Sequence, residues 1–436
     1  MSKLELSLSY KLLSVVAVAL AILILPVVSV SSAPTGALMA DKAADMVGVN
    51  THLSYRDTPY YSHYEDIIKP RLIELGVRHI RDNPSREQRV KDRYAELAKN
   101  GIKLLLINWN QPRDYEYAKS LNTDYGFKVV EAVEPPNEKD AWRDEMKNHI
   151  TQMWKLYKQD TATSDILILG PSYANTRNSP GNFARFWPDT KNFMDKGNTH
   201  DYCGTFPEGP RGGGWGVALD NALAEYKKLC GHKLIWATEN GYKNSKSLRG
   251  HPAVPQRAAA KYLLRQFLLH LSKGVELFYI YQLINCKSNN AHENFAIIND
   301  DGSPRKQFLA VKNFIRIFRD PGPDFKPGRL DYSLTGDLKG IHQVLLQKRD
   351  GRFLLAIWQG VESSVYSETD DKIADIEHRP RSLNLKLNTK ITTARLYNPS
   401  FSPDSIKSYD NLKAIRSVSL AIPDHVLVVE LTPLTN

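Results

Sequence analysis

A chain of 436 residues is long for one average domain and fits a large barrel followed by a smaller module. Hydrophobic residues make up 42% and charged residues 24%, a balance that excludes a disordered chain and predicts a sizeable core. The net charge of +10 suits acidic polymers or a cell surface, but no Lys/Arg cluster is interleaved with aromatics as a nucleic-acid groove requires, so no nucleic-acid partner is expected.

Lys3 and Lys11 precede an uncharged apolar run over residues 12–30, interrupted only by Ser14, Pro26 and Ser29. Residues 1–33 therefore read as a signal peptide or an N-terminal membrane anchor. Ser31-Ser32-Ala33 offers the small residues a signal peptidase needs, whereas Pro34 opposes cleavage. Both outcomes predict export to a secreted, periplasmic or cell-envelope location, with membrane attachment only through this segment.

From about Ala44, short apolar runs rich in β-branched residues alternate with longer segments of helical period. Strands are predicted at 46–50, 77–82, 102–108, 128–133, 165–170, 198–202, 233–238 and 275–283. Helices are predicted at 86–100, 141–159, 218–230, 256–273 and 304–318. Phe308, Val311, Ile315 and Phe318 form one apolar stripe on the last of these. Gly101 and Gly274 mark helix C-termini, Ser303-Pro304 reads as an N-cap with proline at the first helical position, and Pro70 predicts a break in the first helix. Eight strands with crossover helices favour closure, so the α/β fold expected over 41–320 is a (β/α)₈ TIM barrel. No Gly-x-Gly-x-x-Gly follows the first strand, and no cofactor is expected.

After Asp320-Pro-Gly-Pro the pattern turns to alternation without helices, which predicts a C-terminal antiparallel β-sandwich over 325–436. Its strands are placed within 343–359, around an Arg-Asp-Gly turn, and at 382–387, 392–397, 417–422 and 426–431. No catalytic cluster is visible in it, and it reads as a stabilising or spacing module. Cys203, Cys230 and Cys286 are too few and too scattered for a disulfide framework or zinc site; they allow at most one bridge and one free thiol, and no metal is expected.

In a barrel, functional side chains gather at the C-terminal ends of the strands. The fourth predicted strand runs into Val-Glu-Pro-Pro-Asn-Glu, which brings Asn137-Glu138 to the mouth. The seventh runs into Thr-Glu-Asn-Gly, which brings Glu239 there, with Gly241 allowing a sharp departure of the chain. Two convergent carboxyl groups are what retaining glycosidic cleavage needs, one to protonate the leaving oxygen and one, about 5–5.5 Å away, to attack the anomeric carbon.

These strand ends resemble those of the clan A glycoside hydrolases, which carry the acid/base in an Asn-Glu pair after strand four and the nucleophile after strand seven. The resemblance extends to Arg81 at the end of strand two, to His200-Asp201-Tyr202 at strand six, and to the exit from strand eight around Glu293-Asn-Phe-Ala-Ile-Ile. It is nearest to branches resembling β-xylosidases and exopolysaccharide hydrolases, and it covers most of the chain beyond the N-terminal segment. It implies a retaining glycosidase acting on an oligo- or polysaccharide, with Glu138 as acid/base and Glu239 as nucleophile. Arg81 would stand beside the nucleophile, and the Tyr202 hydroxyl would hold it. Asn137 would bind the sugar's 2-hydroxyl. Glu138 must stay protonated near neutral pH, which calls for burial or a negative neighbour, and an ionised Glu239 supplies one.

Trp109, Trp215 in the glycine-rich segment 211–216, Tyr242 and Tyr281 are candidate sugar platforms. Strand eight departs from the family pattern: it reads Phe-Tyr-Ile-Tyr-Gln-Leu, and Tyr281 stands where many clan members place a tryptophan. That departure supports one alternative, a catalytically inactive carbohydrate-binding barrel of the cell envelope.

Overall fold

The computed structural model describes residues 35–209, 218–245, 251–287, 294–367, 372–410 and 415–434. The N-terminal apolar segment and the Trp215 segment lie outside the described residues.

Eight parallel strands form one sheet: β1 (Val47–Asn50), β2 (His79–Asp82), β3 (Lys103–Ile107), β4 (Val130–Glu134), β5 (Leu167–Ile168), β6 (Gly197–Thr199), β7 (Ile235–Asn240) and β8 (Val275–Ile280). The order runs from β5 back to β1, then through β8 and β7 to β6. The two ends meet through a parallel bridge between Leu169 and Lys196, with the Gly170 N–H donating to the Lys196 carbonyl at 2.9 Å. The closed (β/α)₈ barrel expected from the strand count is therefore present.

Alternation along these strands divides the core in two. Leu105, Ala132, Leu169, Trp236, Leu277 and Tyr279 form the packed barrel interior. Gly48 makes room for the Tyr279 ring, because a Cβ there would stand 2.6 Å from it. The other strand faces join the helices in the larger core.

Among the described residues, the chain beyond the barrel is all strand, as expected. The turn at Arg349-Asp350-Gly351 joins antiparallel strands Ile341–Gln347 and Phe353–Gln359, with Gly351 at φ 90°. Phe353–Gln359 is buried along its whole length: Leu354, Ala356 and Trp358 pack with the barrel core, while Phe353, Leu355 and Ile357 pack into the second domain's own core. Trp358 donates its indole N–H to Glu208 at 2.7 Å, and Glu208 also holds the buried Arg265.

Several local expectations are corrected. The two strands expected at 382–387 and 392–397 are one strand, Arg381–Tyr397. Its first half pairs with Tyr332–Gly336 and Ile415–Ile422, and its second half with Ser405–Tyr409 and Leu427–Pro433. The chain also enters through the second domain, because Leu38–Met39 adds a parallel strand beside Leu346 and Gln347. Pro70 does not break its helix. A π-helical turn, Tyr64–Ile68, runs directly into Lys69–Leu75, so Pro70 falls in the first α-helical turn, where its missing N–H costs little. Ser303-Pro304 is not a cap: the helix begins at Lys306, Pro304 pairs with Ile298, and the Ser303 hydroxyl serves Asp301. All three cysteines are free thiols.

Candidate active site

The C-terminal ends of β1, β2, β4, β6 and β7 converge on a buried polar layer. Arg81, 3% exposed, is its hub. Its guanidinium donates to Glu134 through Nε, to Asn50 Oδ1 at 2.8 Å and Glu239 Oε1 at 2.7 Å through Nη1, and to Asn137 Oδ1 at 2.7 Å through Nη2. Glu134 is fully buried and accepts a second bond, 2.7 Å, from Asn198 Nδ2. A planar donor fork satisfies four acceptors in fixed geometry here, which a lysine ammonium cannot do.

Strict alternation would send Thr238 inward and Glu239 away from the interior. The register between β7 and β8 slips, Phe278 facing Ala237 but Ile280 facing Asn240, and the extra residue lets both side chains reach the mouth. Gly241 is then required for a close approach, since a Cβ would lie 2.5 Å from the Tyr281 carbonyl oxygen. Glu138 lies four residues beyond β4 with φ 50°, the one non-glycine residue in the left-handed region among the described residues. That conformation costs roughly 1 kcal/mol, a sign of a position held for use.

The two glutamates meet over His200. Its Nδ1 lies 2.7 Å from Glu138 Oε1 and 3.8 Å from Glu239 Oε2. One ligating atom from each of Glu138, His200 and Glu239 falls within 4.8 Å of the others, so the carboxylates converge. These donors are also a set that could hold a cation. The positive charge beside Glu239, however, is already supplied by Arg81.

Environment separates the two acids. The Glu239 side chain is 13% exposed and that of Glu138 30%. Burial pushes the Glu239 carboxyl up, but the charges of His200 and Arg81 and the Arg81 hydrogen bond outweigh it and hold the group below its ordinary value. Tyr202 donates its hydroxyl to Glu239 Oε2 at 3.3 Å, and burial, then the Glu239 charge, keeps that phenol protonated.

Hydrogen-bond polarity locates a proton. Glu134, an acceptor for Arg81, takes the Asn198 amide N–H, so Asn198 Oδ1 must accept from the Thr238 hydroxyl at 2.7 Å. The Thr238 oxygen then accepts from His200 Nε2 at 3.0 Å, which fixes a proton on Nε2. The remaining 2.7 Å contact between His200 Nδ1 and Glu138 needs one proton of its own, on the nitrogen or on the carboxyl. Burial lowers the His200 proton affinity, but Glu239 and Glu138 reverse this, and its pKa is raised overall.

Aromatic rings wall the pocket. Tyr281 stands edge-on to Phe295 at 5.8 Å and to His52 at 5.9 Å, and Tyr202 contacts Phe295 at 5.9 Å and His251 at 4.5 Å. Burial pushes His52 down to about 4, leaving it neutral. Trp109 is half-buried beside the mouth and donates its indole N–H to Asn83 at 2.7 Å. Tyr242 is corrected: it is 3% exposed, bonded to Cys203 and packed on Tyr262, so it belongs to the core.

Thus Arg81, Asn137, Glu138, His200, Tyr202 and Glu239 come together, with Tyr281 on the wall and Trp109 to one side. Sequence reasoning passed over Asn50, Glu134, Asn198, Thr238, His52, His251 and Phe295. A signal existed for Glu134, a carboxylate directly after the strand predicted at 128–133 and so at its C-terminal end.

No family model and no curated protein sequence matches the chain. Solved structures do. A glucosidase from Croceicoccus marinus matches with a TM-score of 0.57 and 12% identity, covering 92% of this chain and 97% of that one. The chain shares its fold with glycoside hydrolases. A family 39 glycoside hydrolase from Bacteroides cellulosilyticus WH2 gives 0.54 and 15%, with 90% and 82% covered. A GH30 endoxylanase from Clostridium papyrosolvens C71 gives 0.52 and 11%, with 93% and 98% covered. At these identities the likeness is one of fold, and the chemistry rests on the residues above.

Proposed function

We propose that this chain is a retaining glycoside hydrolase acting on an oligo- or polysaccharide, with Glu239 as nucleophile and Glu138 as acid/base. The observation that carries the reading is the convergence of two carboxylates, with atoms within 4.8 Å, in unlike surroundings. The Glu239 carboxylate attacks the anomeric carbon while Glu138 gives its proton to the departing glycosidic oxygen. Glu138 then takes a proton from water, whose oxygen displaces Glu239 and releases the sugar. Asn137, its carbonyl held by Arg81, keeps its amide N–H groups for the sugar's 2-hydroxyl. Resemblance to β-xylosidase and exopolysaccharide-hydrolase branches supports a polysaccharide substrate, and the apolar run over residues 12–30 supports export.

Incubation with a mechanism-based fluorosugar series tests this. The expected result is a glycosyl adduct on the peptide containing Glu239, found by mass. Hydrolysis with inversion, and no adduct from any sugar that is turned over, would overturn it.

The proton shared by Glu138 and His200 predicts a pH effect. The acid-competent form is the one that keeps this proton, so activity holds below the raised His200 value and falls as pH climbs through it. In His200→Asn the alkaline limb of kcat/KM should move to lower pH, because one of the proton's two sites is gone. An unmoved limb would show that His200 does not share it.

A further inference from the structure

Beside the carboxylate pair a cleft of about 450 Å³ opens between the loops after β1, β2 and β3, lined in part by Tyr55, Arg56, Arg86, Glu87 and Trp109. It joins the mouth through two contacts: Tyr55 stacks on His52 at 4.8 Å, and Asn83, which follows β2, holds the Trp109 indole. The charges in it are not balanced. Its single carboxylate, Glu87, is already engaged by Arg56 and by the Tyr61 hydroxyl. Arg86 is exposed and has no ion-pair partner among the described residues.

Lys139, the residue after Glu138, reaches into the same region. Its ammonium lies 5.5 Å from the Trp109 ring centre and 5.4 Å from that of Trp142. Ring faces hold it by cation–π attraction, which leaves its N–H bonds unspent. Of its two acidic neighbours in sequence, Glu138 is engaged by His200, and Asp140 is occupied by the Ala174 and Asn175 amides and the Ser179 hydroxyl. A neighbouring cleft of about 590 Å³, which shares Arg86, sets Lys91 and Arg113 against Asp114 and Glu116 and is close to neutral without it. With Arg86 counted, each cleft carries one uncompensated positive charge, and Lys139 beside Trp109 adds a second to this lobe alone.

We infer that this lobe receives a sugar residue bearing a carboxylate or sulfate, so that the substrate is an anionic glycan. The inference rests on the proposed hydrolase reading for the word substrate, but the binding itself does not. The Trp109 and Tyr55 rings give the sugar an apolar flank, and Arg86 and Lys139 give its negative group two charged donors from different loops.

Binding is measured with the full chain carrying Glu138→Gln, so that turnover does not consume the ligand. The probes are two pairs of polymers: a glucuronoxylan with its carboxyl-reduced twin, and a sulfated galactan with its desulfated twin. The acidic member of at least one pair should bind about tenfold tighter than its twin. The margin should shrink as salt rises, and the pair that shows it identifies the anion. Adding Arg86→Gln and Lys139→Gln should erase the margin. Adding Lys227→Gln and Arg316→Gln, which removes the same charge from exposed helix positions elsewhere, should leave it. Equal binding of twins, including none by either, overturns the inference, as does a remote pair that erases the margin as fully as the cleft pair. The two readings also fail separately. Wild type cleaving neutral twins as fast as acidic ones sinks the anionic substrate but keeps the hydrolase. A margin in binding without turnover of any polymer keeps the anion site and counts against the hydrolase.

Discussion

Glu239→Gln should lower kcat/KM by about 10⁴-fold or more, on the order of 5 kcal/mol in barrier, while leaving the fold intact. The amide keeps the carboxylate's shape and can still accept from Arg81 Nη1, so Arg81 is not stranded. What is lost is a nucleophile, and no leaving group compensates for that. The loss should therefore be the same on polysaccharides and on aryl glycosides with acidic phenols. Glu138→Gln should behave differently. It should cripple cleavage of natural glycans, whose leaving oxygen needs a proton, by about 10²–10⁴-fold, yet spare much of the first step on activated aryl glycosides. Steady-state kinetics of both variants on both substrate classes decide the roles. The opposite dependence on leaving group would exchange them, and wild-type rates in both would remove the pair from catalysis.

The parts of this molecule legible in the sequence are those written in local pattern. Barrel strands are buried on both faces, so each appears as an apolar run between polar helices, and closure follows from their number. Glu138 and Glu239 stood out because a charge placed just past such a run must emerge at a strand end. Other features depend on partners that no local pattern names. The Leu38–Met39 strand is too short to show a period, and Asn388, Thr389 and Lys390 look like a loop although the Arg381–Tyr397 strand runs through them. The β7 slip that turns Glu239 toward the mouth is a property of its register with β8. Tyr242 follows Glu239 by three residues, yet whether it faces a sugar or the core depends on where the chain leaves the strand. Arg81 was expected beside Glu239, but its hold on Glu134, 53 positions away, became visible only in three dimensions.

That hold makes Arg81→Met the most damaging single change to stability expected around the site. Glu134, fully buried, would keep only the Asn198 amide and no cation, and Glu239 would lose its closest cation and keep only His200, 3.8 Å away, and the Tyr202 hydroxyl. Breaking a buried pair in this way costs about 3–5 kcal/mol, well beyond the packing lost with the side chain. The deficit should depend on pH with a definite sign. In the wild type the Glu239 value is held below that of the unfolded chain, so its contribution is complete above the ordinary carboxylate range, about 4, and disappears as pH falls through the depressed folded value. Wild type and variant should therefore differ most at neutral pH and converge in acid. Arg81→Lys separates charge from geometry: a lysine ammonium can neutralise one carboxylate but cannot bridge Glu134, Glu239, Asn50 and Asn137 together. It should recover part of the stability while kcat/KM stays down by about 10²–10³-fold. Urea denaturation midpoints across pH, with kinetics on the same preparations, measure both. A variant as stable as wild type at neutral pH would mean that the polar layer does not depend on Arg81, and the account of how Glu239 is kept ionised would have to be rebuilt.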